Sequence, residues 1–316
     1  MEFDFDALTA QANQLSGKSS HEYDGTSSRS THHENRANHP HRRGKPKIIT
    51  GRPKGLCLPH LCGIENIASA LIVRQECLWD TYRRVIACDI AGSVVLASRY
   101  SRPSRLVAIR RYPKQDAHHL IERFGRLNHS NILSVQECYI YADILYALVD
   151  DLPLALVHMI SCPNIYPTER ELASLMAQIL DGISYLSACR LAHPTFACSD
   201  ILLDMNGVVK IGCLEACVNC TSDQAETTYA AMLSSITMQL MQKYNKSENS
   251  VGIDNLRRWP ADSNAVGFLS ATAARESLGS LKKHPLITSI HFPPAALVTL
   301  ARSVMLSGQV THTIFE

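Results

Sequence analysis

The sequence predicts an α+β fold in two parts: a small β-rich N-terminal lobe followed by a larger, mainly helical C-terminal lobe. Three observations carry that expectation. Between residues 83 and 150 the apolar residues fall in short β-rich runs bounded by Gly, Ser and Pro, as antiparallel strands require. From residue 154 the apolar spacing lengthens to the helical period. Within the helical part, "ILLDMNGVVKI" (201 to 211) places two short apolar runs about Asn206-Gly207, a strong hairpin signal.

Residues 1–54 are rich in Ser, His, Asn, Gly and charge, with little apolar periodicity, and are expected to be a disordered tail. Eight Lys/Arg (Arg29, Arg36, Arg42, Arg43, Lys45, Lys47, Arg52, Lys54) face one acid, Glu34, over residues 29–54. From residue 55 onward 22 basic and 23 acidic residues balance, so attraction to a polyanion, to DNA or to a nuclear-import receptor is assigned to residues 29–54. The "GRPKG" at its end is similar to the hook with which some chromatin proteins enter the minor groove.

Residues 55–80 form a helical N-terminal extension in this reading, because "GIENIASALIVRQECLWDTYR" spaces Ile64, Ile67, Ala68, Leu71 and Ile72 for one helix face. "RRVIACDIAGSVVLASRY" and "RLVAIRRY" read as three strands. The helix "DAHHLIERFGRLN" follows, and then "ILSVQECYIY" and "ILYALVD", two strands joined at Ala142-Asp143. The helix in "TERELASLMAQILDGISYLSACR" opens with a Thr168/Glu171 capping box and repeats Leu172, Leu175, Met176, Ile179, Ile183 and Leu186. Further helices fit 228–243, 262–272 and 295–306.

A 46% hydrophobic content is ordinary for a globular chain, and 316 residues suffice for one large core or two moderate lobes. No apolar run is long enough to span a bilayer and the N-terminus lacks a secretion core. The expectation is an intracellular protein, nuclear or cytoplasmic, without membrane contact. Eleven cysteines, an odd number, lie scattered through apolar stretches and read as reduced core thiols. A different class of reading comes from "CLEACVNC". It spaces Cys213, Cys217 and Cys220 as three thiolates able to ligate an iron–sulfur cluster, or zinc with a fourth ligand.

The succession of strand-rich lobe, hinge, capped helix and hairpin resembles the eukaryotic protein kinase fold, and local motifs agree in order and spacing. "AGSVVLA" is similar to the end of a glycine-rich loop, "VAIR" to the third-strand V-A-I-K motif, and "LNHSNIL" to the segment after the regulatory helix. "LYALVDDL" is similar to the fifth strand and hinge, and "SLKKHPLI" to the close of the last C-lobe helices. The resemblance implies a kinase-like domain over 81–290, with an N-lobe (81–150) and a C-lobe (151–290), followed by a C-terminal helix and tail (291–316).

The resemblance also implies which residues should do chemistry, and most are replaced. In "HPTFACSD" the catalytic base position is Thr195, the phosphate-steadying lysine is Ala197, and the metal-binding Asn is Asp200. His193 is retained, as an anchor. D-F-G falls on "CLE", so Cys213 stands where an Asp would hold magnesium, a hard cation that prefers oxygen. Glu215, with Asp200, is a pair that could rebuild a metal site. The third-strand Lys is Arg110, and its helix partner Glu is Leu120, with Glu122 two positions on. Of the loop glycines Gly92 survives, with Ala87 and Asp89 at the others.

Gly92, Ala108, Arg110 and Asp150 therefore outline a vestigial nucleotide cleft. Any ATP binding there should be weak and independent of magnesium, with no metal and no other cofactor. About fifteen residues separate Cys213 from the next predicted helix, too few for an activation and peptide-docking segment. The resemblance as a whole implies a degenerate member, a pseudokinase. Such a chain acts as scaffold or allosteric regulator, with protein partners met by the kinase-like domain and by "FPPAALVTLARSVMLSG" (292–308). The enzymatic alternative is a divergent ATP-dependent Ser/Thr kinase using Arg110, Asp200 and Glu215 in altered roles.

Overall fold

The computed structural model describes residues 71–246, 250–289, 293–308 and 312–314. The predictions for residues 1–54 and for 55–70 fall outside the described residues.

A seven-stranded sheet is built from β1 (Ile72–Arg74), β2 (Tyr82–Asp89), β3 (Ser93–Arg99), β4 (Arg102–Pro113), β5 (Val135–Tyr141), β6 (Ile144–Val149) and β12 (His312–Ile314), in the order β1-β5-β6-β4-β3-β2-β12. The five central strands and their antiparallel pairing are those the β-rich runs predict. Both edge strands are new. The helix expected through Leu71 and Ile72 is corrected: Ile72–Arg74 instead pairs in parallel with Glu137–Tyr139. Two β-branched residues and a backbone ladder offered by β5 outweigh the helical spacing of the preceding segment. β12 pairs with Ile86–Cys88, which brings the C-terminal segment back to the sheet.

Helix α1 (Ala117–Arg126) sits between β4 and β5, as predicted, and sends Leu120 and Phe124 into the main core. Phe124 packs on Tyr112 of β4, ring centroids 5.8 Å apart. Alternation along β4 divides the sheet into two faces. Ala108 and Tyr112 join the main core with α1, while Ile109 joins a second cluster with Leu78, Tyr82, Ala97, Tyr139, Tyr146 and Leu148 on the other face.

The rest is mostly helical: α2 (Leu156–Ser161), α3 (Glu169–Ala188), α4 (Ser222–Gln242), α5 (Asn264–Ala273), α6 (Leu278–Lys282), α7 (Pro285–Thr288) and α8 (Val298–Leu306). Helix α3 opens as predicted, with the Glu171 amide donating to Thr168 Oγ1 (3.3 Å) and the Thr168 amide to Glu171 Oε2 (2.8 Å). Helix α4 begins six residues before the predicted 228, because Thr221 and Gln224 form a second capping box. Its polar first turn hid that start from apolar periodicity.

The hairpin is present as β9 (Ile201–Leu203) and β10 (Val209–Ile211). Its turn is longer than Asn206-Gly207 alone: Asp204 Oδ1 accepts from the amides of Asn206 (2.8 Å) and Val208 (2.7 Å), an Asx-type closure. Short strands complete the half: β7 (Leu154–Ala155) on β9, and β8 (Leu191–Ala192) on β11 (Val218–Asn219). The C-terminal helix runs as a 3-10 turn, Pro294–Leu297, into α8, with Leu297, Leu300, Ala301 and Val304 buried in the core. Gly308, at φ 69°, follows it in the left-handed conformation that ends helices.

Candidate functional site

The turn from β2 to β3 folds inward, and this decides the site. Ile90 and Ala91 are buried, Ala91 and Gly92 take φ of 53° and 92°, and the Ile90 amide donates to the Gly92 carbonyl (3.0 Å). The left-handed backbone points the carbonyls of Ile90 and Ala91 at Arg110. Its guanidinium, on a residue only 4% exposed, donates to both, at 2.8 Å for Ile90. Arg110 Nε is buried with no hydrogen-bond partner, and among the described residues no carboxylate forms an ion pair with this side chain. A buried cation held only by carbonyl dipoles is an under-compensated charge.

Cys213 closes the same contact from below. It sits in the left-handed region at φ 51° and donates its thiol to the Ala91 carbonyl (3.1 Å). Burial pushes its pKa up, and the Glu215 and Asp200 carboxylates add to that. With no metal beside it, a thiol so held keeps its proton. Asp200 lies beside it, and the Gly212 amide donates to the Asp200 carbonyl (2.8 Å). The Asp200 carboxylate is taken by its own loop, accepting from the Ala197 amide (2.9 Å) and from Ser199 Oγ (3.3 Å).

Not all predicted residues converge. Gly92, Arg110, Cys213 and Asp200 meet. Ala108 is buried in β4 opposite Leu96 and Val149. Asp150 turns away: it pairs with Lys210 (2.9 Å) and accepts from the Ser134 amide (3.3 Å). A surface pocket of about 350 Å³ there is lined by Asp150, Lys210, Arg105 and Asp204, and another of about 270 Å³ by Glu226 and Arg275; Arg110 lines neither. Thr195 is exposed. His193 is fully buried, its ring nitrogens without a hydrogen-bond partner but Nε2 4.0 Å from Asp200 Oδ2, and its ring is tilted against Phe196 at 6.0 Å between centroids.

Helix α1 holds Leu120 in the core and turns Glu122 outward to Arg126 (3.6 Å), so neither supplies an acid to Arg110. The residue that does connect α1 to the site was missed. Arg123 is buried and donates to the carbonyls of Leu214 (2.8 Å) and Glu215 (3.3 Å). One signal could have found it: Arg123 follows Leu120 by three and precedes Phe124, on the helix face that is otherwise apolar. Tyr112 Oη donates to Glu215 Oε2 (3.4 Å), which uses the carboxylate that a rebuilt metal site would have needed. The inward carbonyls of Ile90 and Ala91 left no trace in side-chain identity.

Among the described residues no three His, Cys, Asp or Glu side chains, Cys213, Cys217 and Cys220 included, form a group placed to hold a metal. Cys217 is buried, and burial pushes its thiol up to about 12. The segment between Cys213 and α4 is shorter than predicted, only residues 214–221. No helix among the described residues is long and apolar enough to cross a membrane. No protein-family model and no curated protein matches the chain.

Proposed function

We propose that the chain is a degenerate protein kinase-like protein, a pseudokinase, which acts by protein–protein contact and not by phosphoryl transfer. One observation carries the reading: the guanidinium placed to meet nucleotide phosphates donates instead to the chain's own carbonyls at Ile90 and Ala91. In this reading the inward turn takes the space of the phosphates, so an anion entering there would have to displace it. Support also comes from element order, with a helix after the third large strand, then two strands, a capped helix and a hairpin. The proton acceptor and the magnesium ligand expected of an active relative are replaced by Thr195 and by a protonated thiol at Cys213. In this reading the two lobes are a scaffold, and the partners are proteins.

The test is thermal unfolding with and without Mg-ATP. A ligand at a hundred times its Kd stabilises the folded state by about 2.7 kcal/mol, a shift of several degrees for a domain this size. The expected result is no magnesium-dependent shift. A clear magnesium-requiring stabilisation overturns the reading.

A further inference from the structure

The balanced charge of the body hides a strongly one-sided stretch. Residues 82–111 hold seven arginines, no lysine and one acid, Asp89. Only Arg110 points into the core. Arg83, Arg99, Arg102, Arg105 and Arg111 are exposed. Among the described residues none of those exposed arginines is ion-paired. Exposed cations in a folded protein are ordinary; five exposed arginines on adjacent strands without carboxylate partners among the described residues are not.

Strand register places the centre of this group on the face away from α1. Tyr82 stands opposite Arg99, Ala97 opposite Arg84 and Val107, and Arg111 opposite Tyr146. Tyr82, Ala97 and Tyr146 all belong to the small outer cluster, so Arg84, Arg99 and Arg111 share its face. Aromatic rings beneath hold the guanidinium planes: Arg84 lies 4.3 Å from the Trp79 ring centroid, and Arg99 lies 6.0 Å from that of Tyr82. Arg84 also feels its neighbour. Burial lowers its pKa first, and the like charge of Arg111 lowers it further. At the β3–β4 turn Tyr100 is 62% exposed, between Arg99 and Arg102 in the chain.

We infer that this outer sheet face is a docking surface for single-stranded nucleic acid, with the arginines on phosphates and Tyr100 stacked on a base. Charge complementarity selects a polyanion, and arginine without lysine selects phosphate, which its planar fork meets with two donors. An exposed ring amid cations is the stacking platform that single strands use, and one that a duplex cannot reach. This inference is independent of the pseudokinase reading and of residues 29–54. It moves the body of the protein from charge-neutral bystander to contact surface.

The test uses the full chain and a fluorescein-labelled oligouridylate, with binding followed by anisotropy as salt is raised from about 50 to 200 mM. Each phosphate contact on a single strand contributes about 0.7 to the steepness of log K against log salt. The triple substitution Arg99→Gln, Arg102→Gln, Arg111→Gln should lower that slope by about 2, while the corresponding Arg→Lys triple keeps it. Tyr100→Ala should weaken binding at least about fivefold, the lower end of base–aromatic stacking. An unchanged slope in the Gln triple overturns the inference, since binding would then lie in the basic tail. No binding at low salt, tighter binding to duplex DNA, or preference for phosphatidylserine vesicles or polyglutamate overturns it equally. Thermal unfolding of each variant checks that the fold is intact.

Discussion

Arg123 Nη1 lies 2.8 Å from the carbonyl oxygen of Leu214, and this contact fixes α1 against the short turn that follows Cys213. The second guanidinium nitrogen meets His119 Nε2 at 2.7 Å, so the imidazole one turn earlier acts as acceptor and orients the fork. Helix and turn thus move together or not at all.

Replacing Arg123 by Met keeps the apolar stem and removes every donor. The Leu214 carbonyl then keeps the Cys217 amide but loses the guanidinium, as does the part-buried Glu215 carbonyl, and a lost partner of a buried group costs about 1–3 kcal/mol. The expected outcome is destabilisation of that size in urea, with faster amide exchange over 214–217. Wild-type exchange there would show that the clamp does not restrain the turn.

Glycine substitutions should separate close approach from simple helix propensity. At Gly182 in α3 a Cβ would lie 2.7 Å from Ile211 Cδ1 and 2.9 Å from the Asn131 carbonyl, so Gly182→Ala should lose about 1–3 kcal/mol through overpacking. At Gly267 in α5 the nearest atom is His284 Nε2 at 3.5 Å, an ordinary contact, and Gly267→Ala should gain about 0.5–1 kcal/mol. Gly207 combines φ of 85° with a backbone clash against the Pro294 carbonyl, and its Ala variant should be the worst of the three. Urea midpoints at constant m-value give the order; equal effects at Gly182 and Gly267 would refute the packing of α3 on β10.

Stability should fall on mild acidification. Burial pushes the imidazoles of His129, His158 and His284 below the ordinary value of 6.5. For His158 the Asp89 backbone and charge pull weakly the other way. His158 Nδ1 accepts from the Ala155 amide (3.0 Å) and His284 Nδ1 from that of Leu286 (3.1 Å), roles open only to a neutral ring. The unfolded chain therefore takes up protons first. Their contribution is complete above about pH 6.5 and is lost as pH falls below it through the lower folded values. Denaturation midpoints from pH 7.5 downward should show the loss, and His158→Asn, which keeps an acceptor, should flatten it. A profile that stays level to pH 5 would contradict the burial of these rings.

Much of the architecture was legible because its causes are local. The short β-rich runs "RLVAIRRY" and "ILYALVD" make strands, the second buried on both faces, and Thr168 with Glu171 caps α3 wherever that helix lies. Local signals were silent or misleading where the cause sat elsewhere. Ile72–Arg74 is a strand because β5 offers it a ladder across more than sixty residues. The start of α4 was hidden because Thr221 and Gln224 are polar, and only a cap reading would have shown it.

At the candidate site the division is sharper. From its residues alone the chain declares what Thr195, Ala197 and Cys213 lack, since a missing carboxylate is a fact of composition at a position. What fills the space beside Arg110 was settled only by the fold. Backbone carbonyls are the same at every residue, so no sequence signal says that those of Ile90 and Ala91 will meet a guanidinium some twenty residues on. Nor does any signal say that exposed arginines spread along thirty residues will gather on adjacent strands. Charge and periodicity belong to the chain, whereas which groups share a surface or a cavity depends on pairing between distant segments.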